Sequence, residues 1–267
     1  MANGTTIVPF KEGDIIKDRF TLIKQIGAGT YGAIFAALYQ EIGQISKLVA
    51  IKFEKEMVKR TLLQNEIIIM RKMDESTLRQ ILLVWFALRF QICCYATAWT
   101  IIDAIQILEQ LHRTGFVHRD IKPDNFAIGN IQETAGTIYL LDFGLCKRLC
   151  IQDGKVIKPS QPGNFRGTLR YASINAHCKI ELGRQDDLIS LLYMMVEYFT
   201  KKLPWSNVTN PDQILQLKEQ SRGGFFLLNM PVEFLEFEKY IFSLDYVDEP
   251  DYAYLTSLMY SAAQRNG

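Results

Sequence analysis

Apolar positions recur at every second residue through the N-terminal part of the chain, and at every third or fourth through most of the remainder. Thr21-Leu22-Ile23-Lys24-Gln25 reads as a strand, Gly27 to Gly32 as a glycine-rich turn, and Ala33 to Leu38 as the returning strand. Lys47 to Glu54 is a third strand, with Val49, Ile51 and Phe53 on one face. Val58 to Met73 predicts a helix whose inward stripe is Leu62, Leu63, Ile69 and Met70. Glu66 falls on that same face. An unpartnered buried carboxylate is costly, and Lys52 in the preceding strand is the nearest partner.

Helical spacing returns between Ala96 and His112, at Ile101, Ile102, Ile105, Leu108 and Leu111. Short strands at Phe116-Val117 and Phe126-Ala127-Ile128 flank a polar loop, and Thr137 to Leu141 is a further strand. Asp187 to Phe199 is apolar on nearly every side, as expected of a helix at the centre of a folding unit. The last third adds helices punctuated by Pro204, Pro211, Pro231 and Pro250. No internal repeat or low-complexity tract interrupts the pattern.

A chain of 267 residues holds one large or two small folding units. Its 48% apolar content and net charge of +1 argue against a dedicated nucleic-acid or membrane-surface binder, which needs a basic excess. Ile81 to Trp99 is strongly apolar, but Arg89 and Gln91 near its middle leave too short a run for a bilayer span. Met1 to Asp14 has no secretory pattern. The five cysteines have neither disulfide-framework nor zinc spacing, which predicts reduced thiols and an intracellular, cytoplasmic protein, with the nucleus also open. Oligomeric state leaves no mark in the sequence.

The chemistry concentrates in His118-Arg119-Asp120-Ile121-Lys122-Pro123-Asp124-Asn125 and, downstream, in Asp142-Phe143-Gly144. These loops suit an enzyme that aims a hydroxyl at a Mg-bound nucleoside triphosphate. Asp120 is spaced to accept the hydroxyl proton, Lys122 to neutralise the moving phosphoryl, and Asn125 with Asp142 to hold metal. A turn-capping role would account for Asp120 alone, not for the offsets of Lys122 and Asn125. Gly27-Ala28-Gly29-Thr30-Tyr31-Gly32 is weak evidence by itself, since such runs also mark dinucleotide folds. Strand patterns on both sides make it a hairpin over phosphates. Val49-Ala50-Ile51-Lys52 comes next at third-strand distance, and Lys52 with Glu66 forms the pair that orients α- and β-phosphates. Lys122 and Thr168 favour serine or threonine as acceptor. Six basic residues from Asp142 to Ser173 (Lys147, Arg148, Lys155, Lys158, Arg166, Arg170), against two acidic ones (Asp142 and Asp153), predict attraction for acidic or phosphorylated protein segments.

On these motifs the chain resembles a eukaryotic protein kinase, and more narrowly the casein kinase 1 superfamily, closest to its tau-tubulin kinase branch. The narrower resemblance rests on Phe165 to His177, where Ser173-Ile174-Asn175 stands in place of Ala-Pro-Glu. Gly183-Arg184-Gln185-Asp186-Asp187-Leu188, Leu203-Pro204-Trp205 and Ser243-Leu244-Asp245-Tyr246 also match. The resemblance spans about residues 12–262 and implies one α+β, two-lobed protein kinase domain. Its small β-rich N-lobe would occupy about residues 20–95 and its helical C-lobe residues 96–262. It implies ATP and Mg2+ as cofactors, and serine or threonine in a partner protein as substrate. By resemblance, Gly27, Ala28, Gly29, Thr30, Tyr31, Gly32, Ile34, Ala50 and Lys52 would bind ATP. Asp120, Lys122, Asn125, Lys52 and Glu66 would carry catalysis, Asn125 and Asp142 would bind metal, and Arg166, Thr168 and Arg170 would belong to the substrate-side activation segment. Asp187 would be the buried aspartate that anchors the catalytic loop.

One interval departs from that pattern. In the family, a β-hairpin, the adenine-binding hinge and a short helix lie between the positions of Met73 and Ala96. Those elements need roughly 35 to 45 residues. Only 22 positions are present, and no Gly, Pro, Asn or Asp occurs from Glu75 to Ile102. Leu78, Ile81, Leu82, Trp85 and Leu88 fall at helical spacing instead. The expectation is a kinase fold lacking the hairpin and hinge, with weak ATP affinity and a destabilised N-lobe. Alternatives to a working kinase are a non-catalytic kinase-like binding module and an incomplete isoform or gene model.

Overall fold

The computed structural model describes residues 8–29, 32–40, 46–54, 66–69, 98–128, 136–159, 163–228 and 230–266. The chain divides into two compact units, Met1–Leu88 with Ile128–Gly136, and Arg89–Ala127 with Thr137–Gly267.

Period-two alternation in the first unit builds an antiparallel sheet of β1 (Ile15–Ile16), β2 (Phe20–Gly29), β3 (Gly32–Tyr39) and β4 (Lys47–Glu54), in that order. One face is apolar. Leu22, Ala33, Phe35 and Ala37 are buried with Val8, and Val49, Ile51 and Phe53 pack against them. Phe53 meets Phe35 edge-on at 5.8 Å between centroids. Close strand approach explains Gly32, where any Cβ would lie 2.0 Å from the carbonyl oxygen of Phe53. Strand β1 was not expected, because two residues are too few to show a period. Its turn is recognisable only from the left-handed Lys17 and Asp18 (φ 49° and 54°).

Residues 66–69 are helical, with Glu66 and Ile69 buried and Ile67 and Ile68 exposed. That spacing matches the inward stripe read from the sequence. The rest of the Val58 to Met73 helix lies outside the described residues. So do the shortened interval and the apolar helix expected within it.

In the second unit, α1 (Ala98–Arg113) buries Ile101, Ile102, Ile105, Leu108 and Leu111. β5 (Phe116–Val117), β6 (Phe126–Ile128), β7 (Ile138–Leu140), β8 (Lys147–Arg148), β9 (Ile151–Gln152) and β10 (Lys155–Val156) form two-stranded pairs around the polar loops. After the short α2 (Ile174–His177) comes α3 (Arg184–Thr200), in which Leu188, Leu191, Leu192 and Tyr193 are all buried. It starts at Arg184 because the Asp186 carboxylate accepts the amide of Gly183 at 2.8 Å, closing its first turn. The prolines punctuate as expected. Pro211 opens α4 (Pro211–Gln220), Pro231 precedes α5 (Val232–Ser243), and Pro250 precedes α6 (Tyr252–Asn266), which packs on α1. Among the described residues no helix is long and apolar enough to cross a membrane.

Candidate active site

The first unit contributes a polar pair and a hairpin. On β4, Val49, Ile51 and Phe53 occupy the core face, so Ala50 and Lys52 project from the other. Their cross-strand partners are Ala36 and Ile34, which places Ile34, Ala50 and Lys52 on one side of the sheet. The Lys52 ammonium lies 2.6 Å from Glu66 Oε1, and Glu66 is only 4% exposed. Opposite charge thus accompanies the buried carboxylate. The glycine run is a hairpin, with Gly27 opposite Ile34, Ala28 opposite Ala33 and Gly29 opposite Gly32. Thr30 and Tyr31 lie outside the described residues.

The second unit holds the His118–Asn125 loop, and Asp187 is its anchor. Asp187 Oδ2 accepts the amide of His118 at 2.6 Å, and Oδ1 accepts that of Arg119 at 2.8 Å. Burial opposes the charge, but the hydrogen bond from the His112 ring, joined by the amide of His118, holds Asp187 below the ordinary carboxylate pKa. Pinned this way, Arg119 adopts φ 68°, a left-handed conformation that costs on the order of 1 kcal/mol. The Arg119 guanidinium donates to the carbonyl of Leu145 at 2.7 Å.

The strained turn delivers Asp120 into a compact set of charges. Lys122 Nζ donates to Asp120 Oδ2 at 2.7 Å, and Thr168 Oγ1 donates to Asp120 Oδ1 at 2.8 Å. Lys122 also reaches Thr168 Oγ1 at 3.1 Å. A hydroxyl therefore sits between a carboxylate and an ammonium. Gly167 allows this closeness: at φ 101°, a Cβ there would lie 2.5 Å from the carbonyl oxygen of Arg119.

Asn125 closes a 3-10 turn over Pro123–Asn125, and its side-chain nitrogen donates to the Asp120 carbonyl at 2.8 Å. The amide oxygen is thereby the group left to face a cation. The Leu141 amide donates to the Asn125 carbonyl at 2.7 Å, so Asp142 comes directly after a residue bonded to Asn125. Asp142 is itself left-handed (φ 63°), and Phe143 behind it is fully buried. His118 contacts the Leu141 carbonyl at 3.1 Å, and burial lowers its pKa against the pull of Asp187 and the other acids. Two hard oxygen groups on adjoining backbone are a donor set that suits Mg2+, which takes few protein ligands and relies on phosphate for the rest.

The activation segment refines the sequence reading. Arg166 is exposed. Arg170 pairs with Glu197 at 3.1 Å, Lys147 with Glu181 at 2.5 Å and Lys158 with Asp245 at 3.0 Å. Acids distant in sequence thus offset three of the six counted cations, and the surface is less basic than the count suggested. Sequence reasoning also missed Lys218, which is 1% exposed beneath this segment. Its ammonium donates to the carbonyls of Leu169 and Ala172 at 2.8 and 2.5 Å, while Trp205 Nε1 donates to that of Arg170 at 2.7 Å.

A curled antiparallel sheet bearing a lysine–glutamate pair, followed by a helical unit with this Asp–Lys–Asn loop and Asp-Phe-Gly turn, defines a protein kinase domain. Comparison with known proteins agrees. The family described as "Protein kinase domain" matches residues 94–239, more than half of the chain. A Dictyostelium discoideum protein named "Probable serine/threonine-protein kinase" is 32% identical over 283 residues, covering 94% of this chain and 55% of that relative. The chain therefore spans about half the length of that relative, and it belongs to the protein kinase family.

Proposed function

We propose that this chain is a serine/threonine protein kinase of casein kinase 1 type, closest to the tau-tubulin kinase branch. The observation that carries the reading is the Thr168 hydroxyl held by Asp120 and Lys122 at 2.8 and 3.1 Å. An acceptor serine or threonine needs that same environment: a carboxylate to take its proton and an ammonium beside the transferring group. Asp120 is the base and Lys122 the charge partner. Asn125 and Asp142 would hold Mg2+, which when bound neutralises the phosphate oxygens. Lys52, paired with Glu66, would hold the α- and β-phosphates of ATP, and Gly27, Ala28, Gly29, Gly32, Ile34 and Ala50 would line the nucleotide site. Exposed Arg166 favours acidic or already phosphorylated protein segments.

The branch assignment is supported by what its marker residues do. The Ser173 side chain accepts from the Ala176 amide at 3.2 Å, capping α2, and Asn175 donates to Asp186 at 3.0 Å, tying the segment to α3. The shortened interval is supported by the extent of the match. It runs over 283 positions but uses 94% of 267 residues, about 251, so 283 less 251 leaves about 32 positions of the relative without a counterpart. A lost hinge favours a second reading, a kinase-like module that binds partners without turnover.

Phosphotransfer from Mg-ATP to an acidic serine/threonine peptide, compared with the Asp142→Asn variant, separates the two. The kinase reading requires loss of incorporation in the variant; equal incorporation from both proteins overturns it. Titration of Mg-ATP tests the hinge, with an expected Kd well above low micromolar. Insertion of a family hairpin and hinge after Met73 should then tighten binding.

A further inference from the structure

The anchor of the catalytic loop extends past Asp187. His112 on α1 places Nε2 at 2.9 Å from Asp187 Oδ2, and its other ring nitrogen, Nδ1, at 2.5 Å from the hydroxyl of Tyr252 on α6. All three side chains are buried, at 2%, 1% and 5% exposure for His112, Asp187 and Tyr252. The chemistry at each contact fixes the direction of donation. Asp187 already accepts two backbone amides and is held as a carboxylate, so His112 must present an N–H to it. A neutral imidazole with its proton on Nε2 has an acceptor at Nδ1, and the Tyr252 O–H is the donor that satisfies it. Burial raises the Tyr252 pKa, so the phenol retains that proton.

We propose that Tyr252 is a positioning residue of the catalytic loop, acting from α6 through His112 and Asp187. Its hydroxyl selects the Nε2–H tautomer, and that tautomer supplies the third donor to Asp187. Asp187 in turn holds the His118 and Arg119 amides and the left-handed turn that aims Asp120. Without the hydroxyl, Nδ1 is buried with no donor, and the ring gains by moving its proton to Nδ1 or by rotating. Either change withdraws the donor from Asp187. The relay begins 140 residues from His112 in sequence and touches neither substrate nor metal.

The inference rests on the kinase reading for its effect on turnover, but not for its structural content. Tyr252→Phe removes a single oxygen. The chain has only three histidines, so ring nitrogen-15 spectra can be assigned to His112. The expected result is loss of the pure Nε2–H pattern at His112 and amide exchange about tenfold faster at His118 and Arg119, the loss of one buried hydrogen bond. In phosphotransfer to the acidic peptide, kcat should fall by about tenfold while KM for ATP and for peptide stays within about twofold. Tyr254→Phe, on the same helix but exposed, should change nothing. In a His112→Gln background, where the amide offers Asp187 an N–H without help from Tyr252, the added Tyr252→Phe change should have no further effect. Unchanged ring-nitrogen signals and unchanged exchange at His118 and Arg119 overturn the inference, as does a lowered unfolding midpoint with neither readout moved. If the unmodified protein transfers no phosphate, the kinase reading fails alone, and the spectra still decide this proposal.

Discussion

Replacing Lys218 by methionine should remove part of the pH dependence of folding. The ammonium is 1% exposed, and burial pushes its pKa from 10.5 to about 7. Between those values the unfolded chain binds a proton that the folded chain does not, so the native protein gains stability as pH rises through that window. With about 1.4 kcal/mol per tenfold change, the gain from about pH 7 to about pH 9 is on the order of 2 kcal/mol. Methionine has a similar length and no titration, so the variant lacks this gain. It also leaves the carbonyls of Leu169 and Ala172 without their donor, a loss on the order of 1–3 kcal/mol that does not vary with pH. The two effects differ in pH dependence and are therefore separable. Urea unfolding of both proteins across that range gives the difference in free energy at each pH, provided the slopes agree. The unmodified protein should pull ahead of Lys218→Met by about 2 kcal/mol as pH rises. A difference that stays flat within about 0.5 kcal/mol would refute the buried-ammonium argument. His177 Nε2 lies 3.2 Å from Lys218 and, with burial and the Lys218 charge lowering its pKa to about 4, contributes nothing in this window.

Two further substitutions test the acceptor end of the site. Gly167→Ala places a Cβ against the Arg119 carbonyl oxygen at a positive φ, and should lower stability by about 1–3 kcal/mol in thermal unfolding. An unchanged midpoint would mean the segment moves aside freely. Thr168→Val keeps the shape but removes the hydroxyl bound to Asp120, so kcat/KM for peptide should fall by about tenfold or more with KM for ATP unaffected. A matching rise in KM for ATP would show that Thr168 acts on the nucleotide instead.

Local order was readable from the chain; distant partnership was not. Val49, Ile51 and Phe53 announced the buried face of β4, and Glu66 pointed to Lys52 because a carboxylate on an apolar face requires a charge. Lys218 gave no such sign. A lysine on a short amphipathic helix reads as solvent-facing, and the carbonyls that bury it lie nearly fifty residues earlier. The basic activation segment misled for the same reason. Glu181, Glu197 and Asp245 approach it only after folding, and a count within a window cannot include them. Periodicity reports which side of an element is covered. It does not report what covers it, so the Tyr252–His112 contact was invisible while both helices were legible.

The His118–Asn125 loop is held by its own unit. Asp187, His112, Tyr252, Gly167, Thr168 and Leu141, which fix Asp120, Lys122 and Asn125, all belong to the second compact unit. None of that bonding uses a residue of the first unit, which contains most of residues 74–95, where the hairpin and hinge were expected to be missing. A chain can therefore lose part of its adenine wall while the hydrogen bonds around Asp120 persist, and an intact loop motif carries no information about nucleotide affinity. That separation sets the kinetic signature. A defect confined to adenine binding raises the ATP concentration needed for half-maximal rate but leaves the rate at saturation alone, because the lost contacts are equal in ground and transition states. A defect in the loop lowers the saturated rate. For this chain the first pattern is expected, with turnover recovering as Mg-ATP is raised into the millimolar range. A low rate that stays low at saturation would place the fault in the loop and refute the separation.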